Sequence, residues 1–351
     1  MSATGSSNPE YVNARVSARR ATLFDEEDYR KLLRMSPDEI SRYMEESTYQ
    51  GPINRLGSRF SGVDLIEYAL NAGLAETFDE LLAWADGRLY EQVARYLRKF
   101  DAWNVKTAVR GIYAGTDPDA VEDDLIRAGE FDDALLDRLV EAEGVDEIVD
   151  LLDGTIFGDP LAAAAEEYDE SGMLVPLENA IDRAYYENLF EGVTSAGGAG
   201  PESAYAEYLQ AEIDFRNVRN ALRLARSGAE VDPAEYFIEG GTLFTPEELS
   251  TLSRNPDQLV EHIRESRYGD ELSAALDEMA EADSLIGFEH AIEAALVEHA
   301  RNAGHAHPMS VCPVIAFVLA KEREADNIRA IARGTEAGLD PEEIRAELVV
   351  Q

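Results

Sequence analysis

Three groups of residues have side chains that do chemistry in other proteins. His305, His307 and Cys312 have the residue types of a metal site. Only three ligands lie close together, Pro308 and Pro313 interrupt the stretch, and no second cluster stands nearby. A helix start rich in small polar residues explains the segment better, so no metal is expected. Glu178 with Asp182, and Glu289 with Glu293, are carboxylate pairs one helical turn apart. With 71 acidic residues against 31 basic ones, such a face reads as solvated surface rather than an acid–base pair. None of the four lysines follows a glycine, so no phosphate-cradling loop is present. Gly-x-Ser-x-Gly and His-Glu-x-x-His are also absent. The sequence thus offers no catalytic, cofactor-binding or metal-ligating residue and implies no cofactor.

The third group is basic. Lys106 with Arg110, Arg219 with Arg223, and Arg329 with Arg333 are i, i+4 pairs at matching places in a long repeat. The matching stretches are Asp101-Ala-Trp-Asn104-Val-Lys106, Asp214-Phe-Arg-Asn217-Val-Arg219 and Glu324-Ala-Asp-Asn327-Ile-Arg329. Each continues to Gly115, Gly228 or Gly338 and then to an Asp-Pro: Asp117-Pro118, Asp232-Pro233 and Asp340-Pro341. The asparagines are 113 and 110 residues apart. Two further markers keep the same register. Asp38, Asp146 and Asp257 each stand eleven residues before an aromatic, Tyr49, Phe157 and Tyr268. Phe24, Phe131 and Phe244 open the three copies. Three markers in one order at one period define three homologous units, 1–128 (with 1–8 loose), 129–241 and 242–351.

Each unit reads as helical, which makes the chain all-α. From the Asn, apolar residues fall at +1, +4, +5 and +8, with a lapse at +8 in the third copy. The Gly suits a left-handed helix end, and the Pro suits the start of the next helix. The Thr194-Ser-Ala-Gly-Gly-Ala-Gly200 stretch reads as a loop. At about 100° per residue the acid three before the Asn falls inside the apolar stripe, and the two bases fall on the opposite face. Asp101, Asp214 and Glu324 are therefore expected to be buried and to accept hydrogen bonds from the backbone of a neighbouring helix, since a buried carboxylate without partners is costly. The basic pairs become candidate interface residues. They either bridge to acidic neighbours or form spots where units meet or an acidic partner seats.

Charge sets the setting. The formal net charge is −40, and lysine is nearly absent: 4 of the 31 basic residues. Such a surface repels nucleic acid and anionic lipid. It suits molar salt, where the Debye length falls to about 3 Å and self-repulsion fades. The single cysteine excludes an intrachain disulfide and fits a reducing compartment. The N-terminus has no signal-peptide pattern, and the uncharged run 305–320 is too short to span a bilayer.

Five segments carry a resemblance. They are Gly62-Val-Asp-Leu-Ile-Glu-Tyr-Ala-Leu70, Tyr96-Leu-Arg-Lys-Phe-Asp-Ala-Trp-Asn-Val-Lys106, Pro233-Ala-Glu-Tyr-Phe-Ile-Glu-Gly-Gly241, Ser310-Val-Cys-Pro-Val314 and Ala320-Lys-Glu-Arg-Glu-Ala-Asp-Asn-Ile-Arg-Ala-Ile331. They resemble the C subunit of archaeal A-type ATP synthases from salt-loving cells, a family that includes the d subunit of vacuolar ATPases. The resemblance implies a funnel of three similar helical domains about a pseudo-threefold axis. It also implies a non-catalytic central-stalk role on the cytoplasmic face of the cell membrane, as a peripheral protein. The partners implied are the membrane rotor ring and the central shaft subunits, with torque passed between them for ATP synthesis coupled to proton transport. The resemblance further implies that no nucleotide is bound directly and that the membrane is met through the ring only. The rival from another class is a helical adaptor or scaffold with no tie to a rotary motor.

Overall fold

A computed structural model describes residues 7–191, 193, 201–227, 234, 237–270, 272–273, 276–277 and 286–348. Among these residues the fold is all-α, with no strand. The chain divides into two compact units, 1–189 with 317–345, and 190–316 with 346–351. The period of about 110 residues is a property of the sequence register, and compact bodies need not share its boundaries.

The repeat's central helix runs Lys99–Ala114, Pro201–Ser227 and Cys312–Glu336 in the three copies. Its apolar stripe is buried where the spacing places it: Val105, Ala108 and Val109, then Val218, Ala221 and Leu222, then Ile328, Ile331 and Ala332. Gly115 and Gly338 are left-handed, with φ of 65° and 73°, a conformation that strains any residue with a Cβ. Beyond each, a backbone N–H turns back to the helix: Thr116 donates to the Gly111 carbonyl at 2.9 Å and Leu339 to the Gly334 carbonyl at 3.0 Å. The Asp-Pro then starts a short helix, Pro118–Asp123 or Pro341–Ala346. Asp117 caps the first through the Asp119 N–H at 3.0 Å, and Asp340 caps the second through the Glu342 N–H at 2.9 Å. Gly228 and Asp232-Pro233, like the expected loop at 194–200, lie outside the described residues.

The aspartate marker also has a local cause. Asp38, Asp146 and Asp257 sit in the first turns of helices Pro37–Met44, Val145–Leu151 and Pro256–Arg264, where a carboxylate complements the helix dipole. Residues 1–6 lie outside the described residues. Ser7 and Asn8 are held: Asn8 donates to the Trp84 carbonyl at 2.8 Å, and the Ser7 hydroxyl accepts from the Leu89 N–H at 3.3 Å.

In the second unit, Phe215, Val218 and Leu222 pack with Leu249, Leu259, Ile263, Tyr268 and Leu272 in one apolar core. In the first unit, Phe78 stacks on Phe100 at 5.2 Å, and Phe131 meets Phe157 edge-on at 5.9 Å. No helix among the described residues is long and apolar enough to cross a membrane.

Candidate functional site: buried carboxylates and basic pairs

The three acids are buried as their helical phase requires, at 1 % exposure each. Backbone N–H groups are their partners, as expected, but these lie in the chain segments that lead into a helix rather than in the helix itself. Asp101 accepts from the Glu130 and Phe131 N–H groups at 2.9 and 3.1 Å. Asp214 accepts from Thr242 and Leu243 at 2.7 and 2.8 Å. Glu324 accepts from Phe24 at 2.6 Å. The reason is that backbone N–H groups inside a helix are already used, whereas those before its first turn are free to donate. Gly129 and Gly241 allow the approach, because a Cβ on either would stand 2.0 or 2.2 Å from the Asp101 or Asp214 carboxylate oxygen.

The aromatic marker closes on the same acids. Tyr268 donates to Asp214 at 2.8 Å, and Tyr49 to Glu324 at 2.9 Å. Phe157 holds the matching register position for Asp101 and has no hydroxyl to give. Each aromatic is set by a turn that sequence reasoning missed. Ser47, Thr155 and Ser266 donate back to the Met44, Leu152 and Ile263 carbonyls at 2.7 Å and accept the aromatic's own N–H at 3.2 Å. A hydroxyl residue two before each aromatic was the available signal.

The three acids differ in charge support. Glu324 pairs with Lys321 at 2.5 Å, both side chains almost fully buried, and the ammonium lies 4.0 Å from the Tyr49 ring centre. Asp214 receives Arg267 at 3.2 Å. Among the described residues no such ion pair reaches Asp101. Burial dominates there and pushes its carboxyl up to about 6, against the lowering effect of its two backbone bonds. Burial lowers the Lys321 ammonium, with the Glu324 charge opposing the shift.

The recurring amide of each copy has its own use. Asn104 donates to the Ile126 carbonyl at 2.8 Å and accepts from the Ile126 N–H at 2.9 Å. Asn217 does the same with Ile238, at 2.9 and 3.0 Å. A carboxamide offers a donor and an acceptor side by side, so it satisfies both polar groups of one residue. Asn327 bonds to the Tyr29 hydroxyl.

Two of the basic pairs reach helices elsewhere in the chain. Lys106 meets Asp182 at 2.6 Å and Arg110 meets Glu178 at 2.5 Å. These carboxylates are therefore ion-paired rather than a merely solvated face. Arg329 bonds to Asn71 at 3.0 Å and to Asp326 at 2.5 Å, and Arg333 grips the Glu67 carboxylate with both ends, one contact at 2.8 Å. Glu67 and Asn71 stand 111 residues before Glu178 and Asp182, and sequence reasoning overlooked them. Arg219 is half-buried; the side chains of Arg223, Glu289 and Glu293 lie outside the described residues.

No group of three or more metal-ligating side chains occurs among the described residues. His305 lies in the last turn of the helix Ile286–Ala306, and Cys312 is buried, its thiol pKa raised by burial. The His-Cys stretch is thus a turn between two helices as well as a helix start.

A sequence model of the ATP synthase (C/AC39) subunit matches residues 12–347. The chain is 64% identical over 351 residues, all of both proteins, to the C subunit of the A-type ATP synthase of Haloferax volcanii. It is 59% identical to that of Halobacterium salinarum, again over the full length of both. To the C subunit of Methanococcoides burtonii it is 35% identical over 347 residues, covering 98% of this chain and 95% of the relative.

Proposed function

The chain belongs to the ATP synthase (C/AC39) subunit family, and on that premise we propose that it is a non-catalytic central-stalk subunit of an A-type ATP synthase. In this reading it sits as a peripheral protein on the cytoplasmic face of the membrane. It links the rotor ring to the shaft and passes torque between them for ATP synthesis coupled to proton transport. The observation that supports it most is the extent of the match, which runs over residues 12–347 and so takes in nearly the whole chain.

A part that carries torque must resist shear between its helices. Ion pairs between helices far apart in sequence do that, and so do buried carboxylates that hold chain segments by their backbone. We assign Lys106, Arg110, Arg329 and Arg333 to the joints between repeats, with Arg219 and Arg223 at the matching positions of the second copy. The three copies are proposed to surround a pseudo-threefold axis as a funnel. The direct test is to immobilise the full chain and incubate it with detergent-solubilised membranes in molar salt. Recovery of ring and shaft subunits is expected; recovery of nucleotide-binding head subunits alone would remove the stalk assignment.

A further inference from the structure

The Lys99–Ala114 helix differs from its two counterparts at two surface positions. One before and nine after its Asn it carries Trp103 and Tyr113. The matching residues are Arg216 and Arg226 in the second copy, and Asp326 and Glu336 in the third. Trp103 is 43 % exposed and Tyr113 54 % exposed. The fold does not require aromatic residues at these positions, because charged ones serve in the other two helices. An exposed indole wastes apolar surface that would be favourable to bury.

The surroundings define what would cover Trp103. Its indole N–H points at the Asp124 carbonyl, 3.5 Å away. Tyr68 is hydrogen-bonded to Asp123, with the Asp64 and Asp124 charges close by. Arg329 and Arg333 also act on Asp124, but each is already paired, with Asp326 and Glu67 respectively. Phe60 meets Tyr68 edge-on at 4.5 Å. The patch therefore sets aromatic faces among carboxylates that outnumber the guanidiniums of Arg329 and Arg333 beside them. A guanidinium fits that combination better than an ammonium: it is planar, weakly hydrated, stacks on a ring and forks onto a carboxylate. The chain already uses such stacking, with Arg59 over Phe60 at 5.1 Å, and with Arg267 over Tyr268 at 4.5 Å while it reaches Asp214. Short, partly dry contacts of this kind persist in molar salt, where longer-range attraction is screened.

The geometry points to the Trp103–Tyr68 face, with its Asp64, Asp123 and Asp124 rim, as a docking surface for an arginine-bearing segment of a different protein of the synthase. This rests on family membership and not on the stalk placement. A threefold-repeated protein that binds an unlike partner must mark one copy, and this helix carries such a mark.

The test replaces Trp103 with a photo-reactive benzoylphenylalanine in the full chain, expressed in its own cells. Intact synthase is purified, irradiated, and its cross-linked peptides are sequenced. The expected adduct joins position 103 to an arginine-containing peptide of a different protein of the assembly. In parallel, Trp103→Glu should reduce the chain retained by salt-washed synthase at least tenfold, with Trp103→Phe close to wild type and both isolated chains melting normally. Adducts only to this chain, to a second copy, to lipid or to an arginine-free peptide would overturn the proposal. So would full retention of Trp103→Glu. A tenfold loss accompanied by a collapsed melt of Trp103→Glu would leave the adduct to decide, and its absence would count against docking.

Discussion

Tyr49 and Glu324 stand 275 residues apart, and the hydroxyl of the first donates to the buried carboxylate of the second at 2.9 Å. Tyr268 and Asp214 make the same bond at 2.8 Å across 54 residues. In both cases the aromatic belongs to the copy that follows the acid, and the third copy is followed by the first. The opening of each of these sequence repeats is thus held by the central helix of the repeat before it. That is why 317–345 falls in one compact unit with 1–189.

Glu324→Ala should therefore loosen the beginning of the chain. It removes the bond to the Phe24 N–H and leaves Lys321 buried without its carboxylate, a loss of about 3–5 kcal/mol. Tyr49→Phe removes only one bond to a charged acceptor, about 1–3 kcal/mol. Hydrogen exchange of Glu324→Ala should show lost protection in 24–60 as well as in the Cys312–Glu336 helix. Loss confined to 242–351 would mean that the sequence repeats are independent bodies.

The Asp101 carboxyl, pushed up to about 6 from a usual 3.8, gives a pH prediction with a definite sign. Its neutral form is favoured by the fold, so its contribution to stability is full below about 3.8 and is lost as pH rises through about 6. A displacement of that size corresponds to about 3 kcal/mol as an upper bound. Asp101→Asn should remove this dependence. The wild-type melting temperature should then fall relative to the variant between pH 4 and 7, and parallel curves would contradict the assignment.

Much of this was legible in the sequence. The phase of the acid within the apolar stripe foretold its burial, and Gly followed by Asp-Pro foretold the turn and the next helix. Which element covers the acid was not legible, because helical periodicity fixes a face but not its neighbour. Phe24, Tyr49 and Glu324 belong to separate markers in the sequence, yet they meet at one point. Glu67 repeats both the type and the spacing of Glu178 and Glu289 and was there to be found, whereas Asn71 puts an amide where Asp182 and Glu293 carry an acid, so there only the spacing repeats.

The basic pairs should contribute unequally. Lys106 is 14 % exposed against Asp182, whereas Arg110 is 46 % exposed against Glu178. Double-mutant cycles should give a coupling above about 1 kcal/mol for the first pair and below it for the second. Equal, near-zero couplings would return both to surface charge.

Salt should stabilise the whole chain. With a net charge of −40, lowering salt from 1 M to 0.1 M lengthens the Debye length from about 3 to 10 Å and restores carboxylate repulsion. Melting in dilute buffer should come at lower temperature than in molar KCl. Calorimetry across that range checks this, and an unchanged midpoint would contradict it.

The stalk role itself is tested most directly by coupling. Membranes from cells that lack this chain should be assayed for ATP hydrolysis and for ATP-driven proton pumping, before and after adding the purified full chain in molar salt. The account predicts hydrolysis without pumping in its absence, and pumping restored on addition. Membranes that pump normally without the chain would show that torque reaches the ring by another route and would contradict the account.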